Sequence, residues 1–486
     1  MAYTIAKYDW LAAEKCPTMA WHELRVHKPA PDEGTIFRMQ QGQEVGALAR
    51  GLYPNGVFVA RREGAAPVEV TQTLVADASS ATLFEAAFGV GPFVAKADIL
   101  TREGDGWHVL EVKSSFSDTT NIKEHVDDLA YTVMVLRRAG LTVTRASLVL
   151  LSRDYRFGGN AEQLFEIIDK TDDVATRVGK FEGSIDARAV SLLDDNACPT
   201  PIMVSACRSC RFFSDRCLGA GLAHTVLELP SLHHTKLRTL SEAGVIALSD
   251  VPAEFVLTDR QQRVKDAALS GQVFIGPGLR EVLHSIRWPC HYLDFETMAT
   301  VMPLYDGHAC HRQVLTQFSV HHRDGPDAVP HQSEFLADAR QNEERRLAST
   351  LIDVLGRDGS IIVYGTFEKT RINALREAFP DLADALGVLL GRLVDLNAIV
   401  TNHVYHPEFR GRLSIKAVLP ALVPGLSYEG LAVADGDTAM AKFAGMARGE
   451  ITGDDVAATR YQLLEYCRMD TLGMVRLHET LSSLAA

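Results

Sequence analysis

The sequence predicts an α/β protein made of two α/β units joined by a helical connector. Strand patterns and helix patterns alternate from the N-terminus to about residue 225. A mostly polar, helical stretch covers 226–283, and the buried strand pattern CHYLDFET then restarts the alternation. Because 486 residues are too many for one core, separate units over 1–225 and 284–486 are expected.

The first unit opens with helical patterns at YDWLAAEKC and MAWHEL. Strand patterns follow at VFVARR, VEVTQTLVA, FVAKADIL and WHVLEVKS. A helix at NIKEHVDDLAYTVMVLRRAG and a strand at ASLVLLSRDY complete this unit. In the connector, LRTLSEAGVIALSDVP predicts a helix, a glycine turn and a short second element. A helix-hairpin-helix that binds the DNA backbone is one interpretation of this segment. Because the segment matches that motif only in part, a plain connector is favoured.

The second unit begins with strand patterns at CHYLDFET, QVLTQFSVHHR and IIVYGT. A helix at KTRINALREAF and a C-terminal helix containing EYCRMDT follow. Hydrophobic residues make up 47% of the chain and charged residues 23%, as in ordinary globular proteins. No apolar run reaches the length of a membrane span, and the first residues lack a signal-peptide pattern, so a cytoplasmic protein is expected.

The net charge of −13 argues against a protein that coats nucleic acid by neutralising its phosphates. It is compatible with an enzyme that collects carboxylates around metal ions. Eight cysteines in an intracellular chain indicate metal ligands or reactive thiols and argue against disulfides.

Two carboxylates and a lysine converge in the predicted hairpin FVAKADILTREGDGWHVLEVKSS. Alternation puts Glu111 and Lys113 on one face of a strand, and the GDG turn brings Asp98 beside them. Carboxylate oxygens suit Mg²⁺ or Mn²⁺, and the lysine can polarise the water that attacks a phosphodiester. An exposed hairpin with an ordinary Glu–Lys pair is the alternative.

Three cysteines, Cys207, Cys210 and Cys217, lie close together in CRSCRFFSDRC near the end of the first unit. Cys16 in the first predicted helix supplies a distant fourth ligand that would pin the N-terminus to this region. Four thiolates suit either an iron–sulfur centre or a tetrahedral zinc ion.

Acidic residues recur at strand and helix ends in the second unit. Asp294 and Glu296 share one face of the apolar CHYLDFET strand, where unpaired carboxylates are costly. Glu368 opens a helix after IIVYGT, and Tyr466 lies one helical turn before Asp470. Four acids and a phenol can surround two metal ions about 3.5 to 4 Å apart.

The spacing Asp-x(12)-Glu-x-Lys across a hairpin, followed by a helix with Tyr131, resembles the PD-(D/E)XK nucleases of the RecB-like family. The resemblance implies a restriction-endonuclease-like domain. It also makes Glu44 in QQGQEVGALARGLYP the candidate acid that completes the metal site. The family helix commonly carries Tyr-Gln for substrate positioning, whereas Thr132 follows the tyrosine here.

The cysteine arrangement is similar to that of iron–sulfur RecB-like nucleases, including CRISPR-associated ones. The resemblance implies a structural four-iron four-sulfur cluster, with zinc as the alternative occupant. The expected ligands are Cys16, Cys207, Cys210 and Cys217, and Cys198 can replace one of them.

The order DxE, then Phe-acid after a strand, then Tyr-x3-Asp resembles the DEDD exonucleases of ribonuclease H-like fold, tyrosine subtype. The resemblance implies that the four acids bind metals while Tyr466 orients the water that removes nucleotides from 3′ ends. Glu368 stands where the family usually has aspartate. Asp395 in RLVDLNAIV is an alternative ligand or a supporting residue.

The stretch HVYHPEFRGRLSIKAVLP resembles a bacterial family in which a RecB-like nuclease is fused to a ribonuclease H-like domain. Lys416 in it is expected to touch phosphate or to lie on the surface, and His403 and His406 are expected to be structural. The resemblance covers nearly the whole chain and implies an Mg²⁺- or Mn²⁺-dependent nuclease, with DNA as the expected substrate by family analogy. The alternatives are a nucleic-acid-binding or scaffolding protein with inactive sites, or an exoribonuclease.

Overall fold

A computed structural model describes residues 3–59, 65–426 and 430–486 of the chain. The chain divides into two compact units. The first comprises Met1–Pro31, Thr35–Leu218 and Thr300–Arg312, and the second comprises Asp32–Gly34, Gly219–Ala299 and Gln313–Ala486. The residues of the predicted connector, 226–283, belong to the second unit.

The first unit contains both helices and strands. Its helices are α1 (Lys7–Lys15), α2 (Pro17–Arg25), α3 (Glu33–Arg50), α4 (Pro67–Ala76), α5 (Ile122–Arg138), α6 (Ala161–Leu164), α7 (Thr171–Glu182), α8 (Ile185–Leu193) and α9 (Phe213–Arg216). Its strands are β1 (Val57–Phe58), β2 (Thr82–Val90), β3 (Phe93–Glu103), β4 (Gly106–Phe116), β5 (Val143–Leu151) and β6 (Phe165–Asp169).

The strands of the first unit pair in the order β1-β2-β3-β4-β5-β6 within the described residues. The neighbours β2, β3 and β4 are antiparallel, whereas β4 and β5 are parallel. A parallel pair requires a crossover connection, which α5 provides while packing on the sheet. The first unit is therefore a mixed α/β structure, as predicted.

The predicted hairpin is confirmed by the pairing of β3 with β4. Ile99 lies opposite Leu110 in the antiparallel register. Gly104 in the turn adopts a φ of +57°, which glycine tolerates because it lacks a Cβ atom. Continuing the register by one residue brings Asp98 across from Glu111.

The prediction of a strand at VEVTQTLVA is wrong, because these residues belong to α4. Pro67 occupies the first helical position, and the Glu69 side chain accepts the Ala66 N–H at 2.9 Å. These helix-start signals outweigh the strand preference of the β-branched residues. In the predicted strand VFVARR, Val57 and Phe58 form β1, while residues 60–62 lie outside the described residues.

The helix α1 is anchored in the core of the first unit. Trp10 is fully buried, and its ring centroid lies 6.2 Å from that of Phe93 and 5.4 Å from that of Phe181. Tyr131 on α5 is also fully buried and donates its hydroxyl to the Ile5 carbonyl at 2.6 Å. Both ends of the Ile5–Trp10 segment are therefore fixed to the sheet side of this unit.

The second unit also contains helices and strands. Its helices are α10 (His234–Glu242), α11 (Asp259–Ser270), α12 (Leu279–His284), α13 (Glu344–Leu355), α14 (Phe367–Ala378), α15 (Ala383–Leu390), α16 (Leu396–His403), α17 (Ile415–Leu422), α18 (Gly436–Ala447) and α19 (Asp454–Leu484). Its strands are β7 (Phe274–Ile275), β8 (Cys290–Ala299), β9 (Gln313–Arg323), β10 (His331–Leu336), β11 (Ser360–Val363), β12 (Leu393–Asp395) and β13 (Val404–Tyr405).

The main sheet of the second unit has the order β10-β9-β8-β11-β12 in the described part of the chain. The pairs β10/β9 and β9/β8 are antiparallel, whereas β8/β11 and β11/β12 are parallel. The short strands β7 and β13 pair separately. The strand β8 therefore occupies the middle of the main sheet.

The heptapeptide EYCRMDT lies in the C-terminal helix α19, as predicted. This helix packs against β8 and β9, and the Gln317 side-chain amide on β9 donates to the Leu463 carbonyl at 2.9 Å. Buried positions on α19 recur every three or four residues, which directs Tyr466 and Asp470 toward the sheet. Among the helices of the described residues, none combines the length and the apolar character that a membrane span needs.

Candidate functional site

Three carboxylates converge in the second unit, where α19 packs against β8. Asp294 and Glu296 project from the same face of β8, because side chains alternate along a strand. Asp470 reaches them from the buried face of α19. One oxygen from each of these residues lies within 4.8 Å of the other two. Oxygen ligands grouped in this way suit a divalent cation such as Mg²⁺ or Mn²⁺.

The charge of Asp470 disfavours ionisation of both Asp294 and Glu296. Burial and the charge of Asp470 raise the pKa of Glu296 to about 8, although the Lys416 ammonium opposes the shift. Burial, followed by the charges of Asp470, Glu296 and Glu368, raises the pKa of Asp294 well above its ordinary range. A bound cation would relieve this repulsion by supplying positive charge.

Glu368 and Asp395, the two sequence candidates for the second motif, have different surroundings. Glu368 in the first turn of α14 is 3% exposed, and its Oε2 atom is buried without a hydrogen-bond partner in the described structure. Burial, with added repulsion from Asp395 and Asp470, raises the pKa of Glu368 to about 7. Asp395 caps α16, because its Oδ1 atom accepts the N–H groups of Gly365 and Asn397 at 2.8 Å each. Glu368 therefore offers a cation a buried, unshared oxygen.

Tyr466 is buried one helical turn before Asp470. Lys416 Nζ donates to the Tyr466 hydroxyl at 3.2 Å and to the Ala434 carbonyl at 2.7 Å. The same ammonium lies 5.2 Å from the centroid of the tyrosine ring. Lys416 is thus exposed to solvent, and its ammonium contacts Tyr466. This contact holds the tyrosine beside the acidic group.

Cys467, which lies between Tyr466 and Asp470 on α19, contacts the acidic group. Its Sγ atom donates to Asp294 Oδ2 at 3.2 Å and so fixes the orientation of that carboxylate. Its position between Tyr466 and Asp470 in the sequence was the feature that could have identified Cys467 as part of the site.

The two histidines of the HVYHPEFRGRLSIKAVLP stretch have structural surroundings. His406 Nδ1 accepts the N–H of Glu408, and His403 ends α16. Neither histidine joins the acidic group of the described residues.

Asp98, Glu111 and Lys113 are brought together by the β3–β4 hairpin of the first unit. Glu111 is only 2% exposed, and Asp98 Oδ2 accepts the Val112 N–H at 2.8 Å. Lys113 Nζ donates to Glu111 Oε1 at 2.9 Å. The other oxygen, Glu111 Oε2, is buried without a hydrogen-bond partner in the described part of the chain. This oxygen and Asp98 are available to a cation.

Lys7 and Asp128 also belong to this site, and sequence reasoning missed both. Lys7 at the start of α1 pairs with Glu111 Oε1, and Asp128 on α5 pairs with Lys113. Burial opposes ionisation of Glu111, but the ammonium groups of Lys113 and Lys7 lower its pKa to about 2. Burial and the charge of Glu111 raise the pKa of Asp98 to about 7.

The family resemblance also associates Glu44 and Tyr131 with this site. Glu44 is on α3 and does not complete a group of three carboxylates within 4.8 Å in the described residues. Tyr131 donates its hydroxyl to the Ile5 and Val94 carbonyls in the core, so it is not open to a substrate. Asp128, one turn earlier on α5, is the residue of that helix that reaches the site. Asp128 could have been found from the sequence, because it lies one helical turn before Tyr131 and so on the same side of α5.

The four predicted cysteine ligands interact within the first unit. Cys16 follows the last residue of α1, and Cys207, Cys210 and Cys217 surround α9. Burial raises the pKa of the Cys207 thiol, and the other three cysteines raise it further. Burial also raises the pKa of the Cys217 thiol, and Cys16, Cys210 and Cys198 raise it further. The structure therefore gathers the N-terminal cysteine with the distant CRSCRFFSDRC segment.

The spacing of these sulfur atoms bears on what they can bind. A single tetrahedral zinc ion, with Zn–S bonds of about 2.3 Å, needs sulfur atoms about 3.8 Å apart. No three cysteine sulfurs of the described residues lie within 4.8 Å of one another. The Met19 N–H donates to the Cys16 sulfur, which caps α2, and the Val204 N–H donates to the Cys207 sulfur, each at 3.4 Å. The arrangement is wider than one zinc ion requires.

Comparisons with known proteins assign no activity. A family described as "Domain of unknown function (DUF2779)" matches residues 291–414, about a quarter of the chain. The matched segment includes Asp294, Glu296 and Glu368 and ends before Tyr466 and Asp470. No curated protein matches the chain. A solved structure described as "Crystal structure of SSO0001" is 15% identical over 44% of this chain and 85% of that chain, and its TM-score of 0.21 carries no argument about fold.

Proposed function

We propose that the chain is a metal-dependent nuclease with one active site in each unit. The observation that carries the proposal is the approach of Asp294, Glu296 and Asp470 to within 4.8 Å of one another. Carboxylates at this distance repel one another strongly unless cations bind between them. When bound, divalent cations activate water and stabilise the leaving oxygen during phosphodiester hydrolysis.

We infer a ribonuclease H-like fold for the second unit and a restriction-endonuclease-like fold for the first. The strand order β10-β9-β8-β11-β12, with acids on the central β8, supports the former. Three antiparallel strands, a crossover helix and a parallel strand, with Asp98 and Glu111 on the hairpin, support the latter. Both inferences agree with the sequence resemblance to DEDD exonucleases and to RecB-like PD-(D/E)XK nucleases.

In the second unit, four carboxylates would hold the cations: Asp294, Glu296, Glu368 and Asp470. The Tyr466 hydroxyl, held by Lys416, would orient the attacking water. Cys467 would keep the Asp294 carboxylate turned toward the cations. Attack of water on the terminal phosphodiester would break its bond to the 3′ oxygen and release one nucleotide. We propose the 3′ to 5′ direction from the sequence resemblance to DEDD exonucleases.

In the first unit, Asp98 and Glu111 would hold the cation. Lys113 contacts Glu111 on one side and Asp128 on the other, which fixes its ammonium next to the carboxylates. From there it can polarise the attacking water or contact the scissile phosphate. We assign hydrolysis of phosphodiester bonds to this site as well.

We propose that Cys16, Cys207, Cys210 and Cys217 hold a four-iron four-sulfur cluster with a structural role. The sulfur spacing, wider than one zinc ion requires, supports the larger group. Anaerobically purified protein should be brown with broad visible absorbance. Cys16→Ala should lose the iron, whereas Cys198→Ala and the buried Cys290→Ala in the second unit should keep it. A colourless protein with stoichiometric zinc would replace iron with zinc in this proposal.

The nuclease proposal is tested with end-labelled single-stranded and double-stranded DNA in Mn²⁺ or Mg²⁺. We expect nucleotide release from 3′ ends to depend on Asp294, and the remaining cleavage to depend on Glu111. EDTA should abolish both activities. Asp353→Asn, which changes an exposed acid on α13, is the matched control and should cleave like the unchanged protein.

Each other outcome has a definite meaning. If Asp294→Asn removes all cleavage and Glu111→Gln removes none, the first unit is not a nuclease. DNA binding without cleavage in Mn²⁺ would replace the proposal with a nucleic-acid-binding role. Faster cleavage of labelled RNA than of DNA would make the protein an exoribonuclease.

A further inference from the structure

Lys7 is a charged residue at the first-unit site that no motif of the sequence includes. It is the first residue of α1, and its ammonium pairs with Glu111 Oε1. The same oxygen accepts a hydrogen bond from Lys113 Nζ at 2.9 Å. Two ammonium groups therefore share one carboxylate oxygen.

The backbone next to Lys7 is fixed. The Ile5 N–H donates to the Pro92 carbonyl at 2.8 Å, and the Ile5 carbonyl accepts the Val94 N–H at 3.1 Å. The Tyr131 hydroxyl donates to the same carbonyl. The position of the Lys7 ammonium can therefore change only by rotation of the Lys7 side chain.

A cation bound to Asp98 and Glu111 would disturb the pair between Lys7 and Glu111. The ammonium also acts on Asp98, whose pKa it lowers against the larger effects of burial and Glu111. Because the cation and the ammonium are both positive, each weakens the hold of the other on the carboxylates. The Lys7 side chain is 29% exposed, so its ammonium can turn toward the solvent. A phosphodiester on the cation presents negative oxygens there, and lysine binds phosphate as a point charge.

We propose that Lys7 is a second substrate-contacting lysine of the first unit. It neutralises Glu111 until a divalent cation binds, and it then contacts the phosphodiester that the cation holds. The proposal rests on the nuclease function proposed for this unit.

The test uses the full chain carrying Asp294→Asn and Asp470→Asn, which confines Mn²⁺ binding to the first-unit site. Free Mn²⁺ is measured by electron paramagnetic resonance, and adding Glu111→Gln defines the background. DNA cleavage is measured on the same proteins. Lys7→Met and Lys7→Arg are compared with the control Lys15→Met, which alters an exposed lysine at the other end of α1.

We expect Lys7→Met to bind Mn²⁺ about tenfold more tightly, because a competing positive charge is gone. The same variant should cleave DNA about tenfold more slowly, because a phosphate contact is lost. Lys7→Arg should stay within about threefold of the parent in both measurements, since it keeps the charge. Lys15→Met should match the parent.

If Lys7→Met binds Mn²⁺ as tightly as the parent protein or more weakly, Lys7 does not compete with the cation for Glu111. Tighter binding with unchanged cleavage would overturn the contact with substrate. Lys7→Gln gives the same comparison if the methionine variant does not fold. A parent protein that neither binds Mn²⁺ nor cleaves DNA would overturn the nuclease function of the first unit itself, and this result is distinct from the other two.

Discussion

In the first unit Glu111 lies between two ammonium groups, whereas in the second unit Asp294, Glu296 and Asp470 face one another. The pKa of Glu111 is lowered to about 2 although burial opposes the shift. Burial and Asp470 raise the pKa of Glu296 to about 8. Two acidic sites in one chain thus have opposite charge balance.

Because of this difference, we expect the two sites to depend on bound cations to different degrees. The first site has lysines within the protein to neutralise its buried glutamate. The second site has more carboxylates than it can ionise without help, so protons or cations must neutralise them. Metal removal should therefore affect the stability of the second unit more than that of the first.

The largest expected effect is on the nuclease activity that we propose for the second unit. Asp294→Asn should slow nucleotide release from 3′ ends by at least about 10³-fold, because it removes a charged ligand from the centre of the acidic group. Release is measured on 3′-labelled DNA, with Asp353→Asn as the control. A loss of less than tenfold would place the cations elsewhere and weaken the comparison between the two units.

Removing one charge from each site should change stability in opposite directions. Glu111→Gln leaves two ammonium groups without their shared partner and should lower the free energy of unfolding by about 2 to 3 kcal/mol. Glu296→Gln relieves repulsion and should raise it by about 1 kcal/mol at pH 8 without metal. Calorimetry of the full chain in EDTA measures both. The exposed Glu124→Gln should change stability by less than about 0.5 kcal/mol, and equal signs for the two site variants would refute the opposite charge balance.

The pH dependence follows from the raised pKa of Glu296. In the folded chain Glu296 keeps its proton up to about pH 8, whereas in the unfolded chain it loses the proton near its ordinary pKa of 4.5. The folded state therefore binds more protons between these values, and stability without metal should fall as pH rises, by up to about 1.4 kcal/mol per pH unit for this group. Thermal unfolding in EDTA from pH 5 to pH 8 tests this. Mn²⁺ should stabilise the chain more at pH 8 than at pH 5, and equal stabilisation at both would contradict the assignment.

The smaller of the two expected effects on nucleotide release concerns the tyrosine. Tyr466→Phe should slow 3′ nucleotide release about tenfold, or about 1.4 kcal/mol in activation free energy, while Mn²⁺ binding stays unchanged. The reason is that, in the proposed mechanism, the hydroxyl orients water and the carboxylates bind the cation. Titration with Mn²⁺ beside the kinetic measurement separates these roles. Weakened Mn²⁺ binding would instead make Tyr466 part of the cation site.

Local periodicity predicts much of this arrangement. Alternation along a hairpin was enough to group Asp98 with Glu111, and helical spacing was enough to align Tyr466 with Asp470. Both patterns act over a few residues or across one tight turn. They also fix which face of a strand or helix meets the rest of its unit.

Contacts between distant segments could not be predicted in this way. Lys7 is 104 residues from its partner Glu111, and no short-range pattern links a helix start to a strand in a sheet. The assignment of Thr300–Arg312 to the first unit, between two strands of the second, has no periodic signal either. The helix α4 was missed because Pro67 and Glu69 outweigh a run of β-branched residues.

The helix α1 carries Lys7 as its first residue, and Cys16 follows its last. Nine helical residues make a rod of about 13 Å, and Trp10 seats that rod in the core. One short helix therefore places an ammonium at Glu111 and a thiol beside the clustered cysteines. A substitution that unseats Trp10, such as Trp10→Ala, should disturb both places at once.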